Sequence, residues 1–303
     1  MPVAVTLLRL LVAVALLYGI GRWIASPTEL LDAAMSAQPR WLLLAAALSP
    51  VGLLLQWWKW RRLLRDSMPQ VGEGDILRSL FAGFGLGLLT PGRLGELGRG
   101  AGLPKDRRRA TALAGADRLL SGGITLLIGL LCASYTAPSL ALWCVGVIGA
   151  SGTLLWYARG WGRPERLILW YQRSALADVT GPAWAGNVIA ALLFNLLFFA
   201  QMFCLLRAAG PLSVDAVVAI PTMFALKTML PISLMDLGVR EGAAVAVLGV
   251  AGVTATIAIQ ASLMLFALNV LAPGLAGLGF LFFGMRSMSR PTNSKRVEFA
   301  HVC

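Results

Sequence analysis

Two short stretches carry the residue types that could hold an anionic group, and they lie about 140 residues apart. The first is Thr90-Pro91-Gly92-Arg93-Leu94-Gly95-Glu96-Leu97-Gly98-Arg99, and the second runs from Met229-Leu230-Pro231 through Asp236-Leu237-Gly238 to Val239-Arg240-Glu241-Gly242. In each, an apolar run is broken by Pro and Gly and then followed by an Arg and a Glu. A guanidinium offers a planar fork that matches phosphate or carboxylate in two parallel bonds. A helix that starts after a break also aims its free N–H groups at the same place. The chemistry this points to is recognition of an anion, with Arg93, Glu96, Lys227, Arg240 and Glu241 as candidates. The breaks themselves are Pro91, Gly92, Pro231 and Gly238.

A third candidate pair, Asp117 and Arg118, lies inside a long apolar run. An ionised group at mid-membrane costs roughly 2.5–3.5 kcal/mol even on the lenient insertion scale, so each needs a partner or a wet cavity. Neighbours on a helix point about 100° apart, so these two seek partners on other segments. The alternatives are that the pair sits shallow enough to reach the interface, and that Arg240 and Glu241 are internal ion pairs that only satisfy their own hairpin.

The elements that must position these residues are membrane helices. The chain is 58% hydrophobic and 13% charged over 303 residues, with a mean hydropathy of +0.76. An ordinary soluble domain carries about 25% charged residues. Lys and Arg number 26 against 14 Asp and Glu. In so apolar a chain that excess marks cytoplasmic loops and anionic lipid surfaces rather than a nucleic-acid partner. Cys132, Cys144, Cys204 and Cys303 have no metal or redox spacing, and the single His301 is near the C-terminus. No Ser/His/Asp set, phosphate-binding Gly loop or Asp-rich metal motif occurs, so no catalytic residue, metal or cofactor is expected and the chain is read as a non-enzyme.

A helix needs about 20 apolar residues to cross the bilayer. Six segments qualify: 3–25, 41–60, 110–133, 139–158, 183–206 and 254–285. The stretches 76–91 and 214–235 are too short or too broken, and read as re-entrant hairpins whose breaks survive only if buried or facing a wet cavity. Lys59, Arg61, Arg62 and Arg65 follow the second span and Arg107 to Arg109 precede the third, so 76–91 is expected to come in and leave on the cytoplasmic side. Short surface helices are expected from Ser26 and Pro164. Each half then reads span, surface helix, span, hairpin, span, with opposite starting sides: an inverted-topology repeat. The expected fold is all-α and polytopic, with about six transmembrane helices plus two re-entrant hairpins. The domain plan is one integral membrane domain, 1–286, in half-repeats of about 1–137 and 138–286, and a short basic cytoplasmic tail, 287–303. Trp57, Trp58 and Trp60 beside Lys59 read as an aromatic belt with a basic anchor, and Gly83/Gly87 as helix packing.

The Pro-Gly-Arg-x-Gly-Glu stretch at 91–96, the run from Arg107-Arg108-Arg109 into Ala116-Asp117-Arg118-Leu119, and Gly238-Val239-Arg240-Glu241-Gly242 together resemble the lysylphosphatidylglycerol synthase transmembrane (flippase-like) family in order and spacing. The likeness covers essentially the whole chain. Fused members of that family carry a soluble aminoacyl-transferase domain after the membrane part. This chain ends about 17 residues after its last span, so the resemblance implies the membrane part alone. Ser233-Leu234-Met235-Asp236 stands where the family often has a Gly-rich turn. The resemblance implies a translocase moving an anionic or modified lipid headgroup between leaflets of the cytoplasmic (inner) membrane. Its partners would be membrane lipids, an anionic or modified phospholipid or a polyprenyl-linked lipid. The alternative is a membrane enzyme or accessory subunit of polyprenyl-phosphate or glycolipid assembly, partnered with lipid-synthesis enzymes. On the translocase reading Arg93, Glu96, Asp117, Arg118, Arg240 and Glu241 converge on one water-reached cavity, with Glu241 holding Arg240 or Arg93 in place and the arginines facing the lipid phosphate.

The Lys/Arg distribution sets the orientation, with both termini cytoplasmic and the connections near Pro138 and Gly210 external. Single cysteines at 138 and 210, in a cysteine-free background, are expected to react with a membrane-impermeant thiol reagent in intact cells. Labelling of the 159–178 loop instead reverses the orientation.

Overall fold

The computed structural model describes residues 35–90, 92–103, 106–136, 182–230 and 236–288, with isolated positions at 28, 32 and between 138 and 149. The expected spans at 3–25 and 139–158, the surface helices from Ser26 and Pro164, Pro91, Pro231 and the tail from 289 lie wholly or largely outside the described residues.

Among the described residues every regular element is helical. Four helices are long and apolar enough to cross a membrane: Pro39–Ser67, Arg107–Thr136, Ala185–Ala209 and Ala255–Leu281. They match four expected spans to within about four residues, except that the first runs seven residues further, to Ser67. The first is α1, Pro39–Ser67, with Pro at its first turn, where the missing N–H has no partner to lose. Pro50 interrupts the same helix from within. Gln201 lies beside that interruption and donates to both the Ala45 carbonyl and Ser49 Oγ at 3.0 Å, supplying polar contacts where lipid has none.

Two helical hairpins pack between the long helices. In the first, α2 (Glu73–Leu88) runs in, and a 3-10 segment, Leu94–Gly102, runs back along it. The turn between them needs left-handed backbone at Gly92 (φ 53°) and Arg93 (φ 56°). Helix α3 is Arg107–Thr136 and α4 is Pro182–Ala209. In the second hairpin α5 (Val214–Met229) runs in and α6 (Val239–Val250) runs back. Ser213 caps α5 through the Ala216 N–H at 3.1 Å. Helix α7 (Ala255–Phe266) continues through a π-helical turn, Ala267–Leu271, into α8 (Ala272–Met288). The expected segments 76–91 and 214–235 are thus only the inward limbs. The return limb 94–102 is short and glycine-rich, and 239–250 is apolar but only 12 residues long, so neither reads as a span.

The hairpins come in from opposite ends of the bundle. The first opens beside the end of α1, where Arg61 and Arg65 pair with Glu73. The second opens where Ser213 Oγ donates to the Ala251 carbonyl at 3.4 Å. That is the far end of α1, because the nearby Ala208 carbonyl accepts from Gln38 N–H at 2.8 Å. Both tips reach the middle of α3. Arg118 donates to the Arg93 carbonyl at 3.1 Å, and a Cβ on Gly122, one turn further, would lie 3.8 Å from Thr228 Cγ2. Residues 118–122 are the midpoint of a 30-residue helix about 45 Å long.

Glycines set how closely these pieces approach. Gly83 and Gly87 form the track on α2 along which the 3-10 limb lies: a Cβ on Gly83 would meet the Arg99 side chain, and one on Gly87 would meet Glu96 Cγ at 3.1 Å. On another face, α2 crosses α8 where Gly85 and Gly277 bring backbones together, and a Cβ on Gly85 would lie 2.9 Å from Gly277 C. Phe81 and Phe280 stack beside that crossing at 4.8 Å. Such close approach is how helices associate where no hydrophobic drive separates protein from lipid. Gly277→Val therefore overpacks a backbone contact and is expected to cost about 1–3 kcal/mol, seen as a lower unfolding midpoint in detergent. Gly249→Ala, with no atom within 4 Å of its Cβ, is expected to leave the midpoint unchanged or slightly raised.

Candidate functional site

At the first tip, two carboxylates are held among four cations. Glu96, on the 3-10 limb, pairs with Arg93 at the turn, with Arg118 of α3 at 3.4 Å and with Arg99 at 4.0 Å. Asp117 pairs with Lys59 of α1 at 2.9 Å and Arg99 at 3.1 Å. Arg99 links both carboxylates and lies flat over Trp60, 5.0 Å from the ring centre. Lys59 also donates to Ser121 Oγ at 2.7 Å. As their directions on the helix require, Asp117 and Arg118 find separate partners. Arg118 braces the turn itself by donating to the Gly92 and Arg93 carbonyls, which offsets the strain of a non-glycine residue in left-handed backbone.

The second tip is built differently. Asp236, also left-handed at φ 63°, pairs with Lys227 across the turn at 2.9 Å. Gly238 (φ 81°) then opens α6. Glu241 reaches back to the Gly238 N–H at 2.7 Å with one oxygen. Its other oxygen accepts from Arg240 Nη2 at 2.5 Å and from Ser262 Oγ at 2.9 Å. Arg240 Nε also reaches Ser262 Oγ at 2.8 Å, and the guanidinium sits 5.0 Å from the Phe266 ring centre. The Glu241 side chain is 0% exposed.

The six residues expected in one cavity therefore separate into two networks. Arg93, Glu96, Asp117 and Arg118 come together at the first tip, with Lys59 and Arg99 added. Arg240 and Glu241 close on each other and on Ser262 at the second. Two corrections follow. The N-terminus of α6 is not a free anion site, because Glu241 already fills it. Arg240 turns its Nε and Nη2 toward Glu241 and Ser262, so that edge of its fork is engaged inside the protein. Access differs too. The Arg118 side chain is 35% exposed, against 5% for Arg240. Beside Arg118, Leu89, Leu94 and Leu119 are exposed apolar side chains.

Sequence reasoning missed two contributors. Lys59 was read as an interfacial anchor among tryptophans but is buried against Asp117; its position about two turns before the end of an apolar helix was the available signal. Ser262 gave no signal, since a lone Ser in an apolar span is ordinary. A recess of about 370 Å³ lies elsewhere, at the open end of the second hairpin, lined by Leu206, Ala209, Leu212 and Val253 among others.

Apolar crossing helices with charged, broken hairpins buried between them define a multi-pass helical membrane protein. Residues 7–277 match the family described as the lysylphosphatidylglycerol synthase TM region, and the chain belongs to that family. Membership makes it a membrane protein related to lipid modification or translocation. No curated protein matches the chain.

Removing one member of a dry ion pair strands the other, at about 3–5 kcal/mol. Arg240→Ala is therefore expected to lower the unfolding midpoint sharply in detergent, by leaving Glu241 buried and unpaired. The double variant Arg240→Met/Glu241→Met is expected to be more stable than the single. If Arg240→Ala unfolds at the wild-type temperature, the second tip is not the dry pin described here.

Proposed function

We propose that this protein moves an anionic or modified lipid headgroup between the leaflets of the cytoplasmic membrane, without chemistry of its own. The observation that carries the reading is the meeting of two hairpin tips, from opposite ends of the bundle, at the midpoint of α3. In a membrane this becomes a pair of re-entrant hairpins related by inverted topology, with charged groups held at the depth where a headgroup meets its highest barrier. With the two segments outside the described residues, the chain would cross six times and keep both termini in the cytoplasm.

The first tip supplies the contact. Arg118 is the most exposed cation of its network, and it opens beside exposed leucines, so a headgroup could reach it while its acyl chains stay in lipid. A guanidinium stabilises a phosphate oxygen more strongly as water is removed. The second tip holds the facing hairpin rigid. No energy source is needed for downhill movement, and an ion gradient could drive the reverse.

The test is purified protein in liposomes, with labelled phosphatidylglycerol in one leaflet and headgroup accessibility followed without nucleotide. Arg118→Gln is expected to slow exchange at least about ten-fold, the cost of one charge-assisted bond, in a protein that still folds, with a somewhat lower unfolding midpoint because the turn loses a brace. Arg118→Lys is expected to restore only part, since a point charge replaces a fork. Wild-type exchange rates in a folded Arg118→Gln protein overturn this mechanism.

A further inference from the structure

The charges at the two tips do not balance. The second tip is neutral, with Lys227 and Arg240 against Asp236 and Glu241. The first holds Lys59, Arg93, Arg99 and Arg118 against Glu96 and Asp117. Among the described residues this leaves a surplus of two positive charges at the first tip. A buried ionic cluster is tolerated in low dielectric when its charge is compensated, and a surplus of two invites an anion of matching charge.

Resting on the proposed translocation at this site, we infer that the first tip selects a phosphomonoester dianion carried on a lipid, in preference to the singly charged phosphodiester of an ordinary anionic phospholipid. Four observations converge on this. The surplus is confined to one tip. Arg99, only 4% exposed, has a buried Nε with no hydrogen-bond partner among the described residues, so one of its donors is left over. The two cations with the greatest access, Arg93 and Arg118, both lean on the single carboxylate of Glu96, which cannot neutralise both. The neighbouring surface is apolar: Leu94 and Leu119, next in sequence to Arg93 and Arg118, and Leu89 at the end of α2 are exposed, which suits an acyl or polyprenyl chain and not a hydrated soluble phosphate. A phosphomonoester carries close to two charges above its second ionisation, near pH 6, and three acceptor oxygens. A phosphodiester carries one charge and two free oxygens. Only the monoester can neutralise the surplus with one molecule.

The full-length protein in nanodiscs at pH 8 tests this with three probes: phosphatidic acid, phosphatidylglycerol of the same acyl chains, and glycerol 3-phosphate. Phosphatidic acid is expected to bind at least about ten-fold tighter than phosphatidylglycerol, one unit of charge-assisted contact, and glycerol 3-phosphate far more weakly than either. Two variants carry opposite signs. Arg118→Gln is expected to remove most of the preference. Glu96→Gln, which raises the surplus to three, is expected to tighten phosphatidic acid binding. Equal binding of the two lipids overturns the inference, and so does loss of phosphatidic acid binding in both variants. Binding of glycerol 3-phosphate as tight as that of phosphatidic acid overturns its lipid part. The translocation reading fails separately: a clear preference for phosphatidic acid, with no lipid exchange in liposomes, leaves the dianion site standing and removes the transport role.

Discussion

A charged side chain in hydrocarbon has two ways to exist: it meets a partner, or it meets water. Ten ionisable side chains sit at the two hairpin tips, and each of them makes at least one ion pair with another. Such pairs add little net stability, because the desolvation of both ions offsets much of their attraction. What they impose is position. Arg99 cannot serve both Glu96 and Asp117 unless the 3-10 limb lies in one register along α2. Glu241 cannot reach Gly238, Arg240 and Ser262 at once unless α6 packs on α7 in one way. The hairpins are therefore located by their charges and admitted by their glycines.

The glycine track on α2 follows from the same constraint. A 3-10 limb can carry Glu96 and Arg99 deep into the bundle only if the helix beside it yields the volume, and Gly83 and Gly87 do so. Uncharged polar contacts join the long helices around the tips. Asn195 donates to the Ser121 and Ala191 carbonyls, and Asn269, at the π-helical turn, donates to Gln201. Bonds of this kind contribute roughly 0.6 kcal/mol each between membrane helices, enough to fix register but not to dominate stability. Asn187 is wholly buried, and neither of its side-chain atoms finds a hydrogen-bond partner among the described residues.

The two tips share a plan, with left-handed backbone, glycine, Arg and Glu in each, yet they end in different states. One is closed on itself and neutral. The other is partly open, positive, and bordered by apolar surface.

Much of this was legible in the linear chain. Hydropathy is a local property, so the four crossing helices were placed to within about four residues of their observed ends, except at the far end of the first. Pro and Gly act on their own backbone, so both breaks and their flanking charges stood out, as did the need of Asp117 and Arg118 for separate partners. The return limbs were not legible, because 94–102 is short and glycine-rich and 239–250, though apolar, is too short to cross by itself. Nor was the fate of individual charges. Lys59 and Asp117 are 58 residues apart, and their pairing depends on the rotation of α1 against α3. Arg240 and Glu241 are adjacent, yet whether they face each other or a ligand depended on Ser262 and Phe266 arriving from another helix. Composition and local pattern decided that charge must lie inside this membrane protein. Only the packing of helices distant in sequence decided which charges are spent on one another and which are left to act.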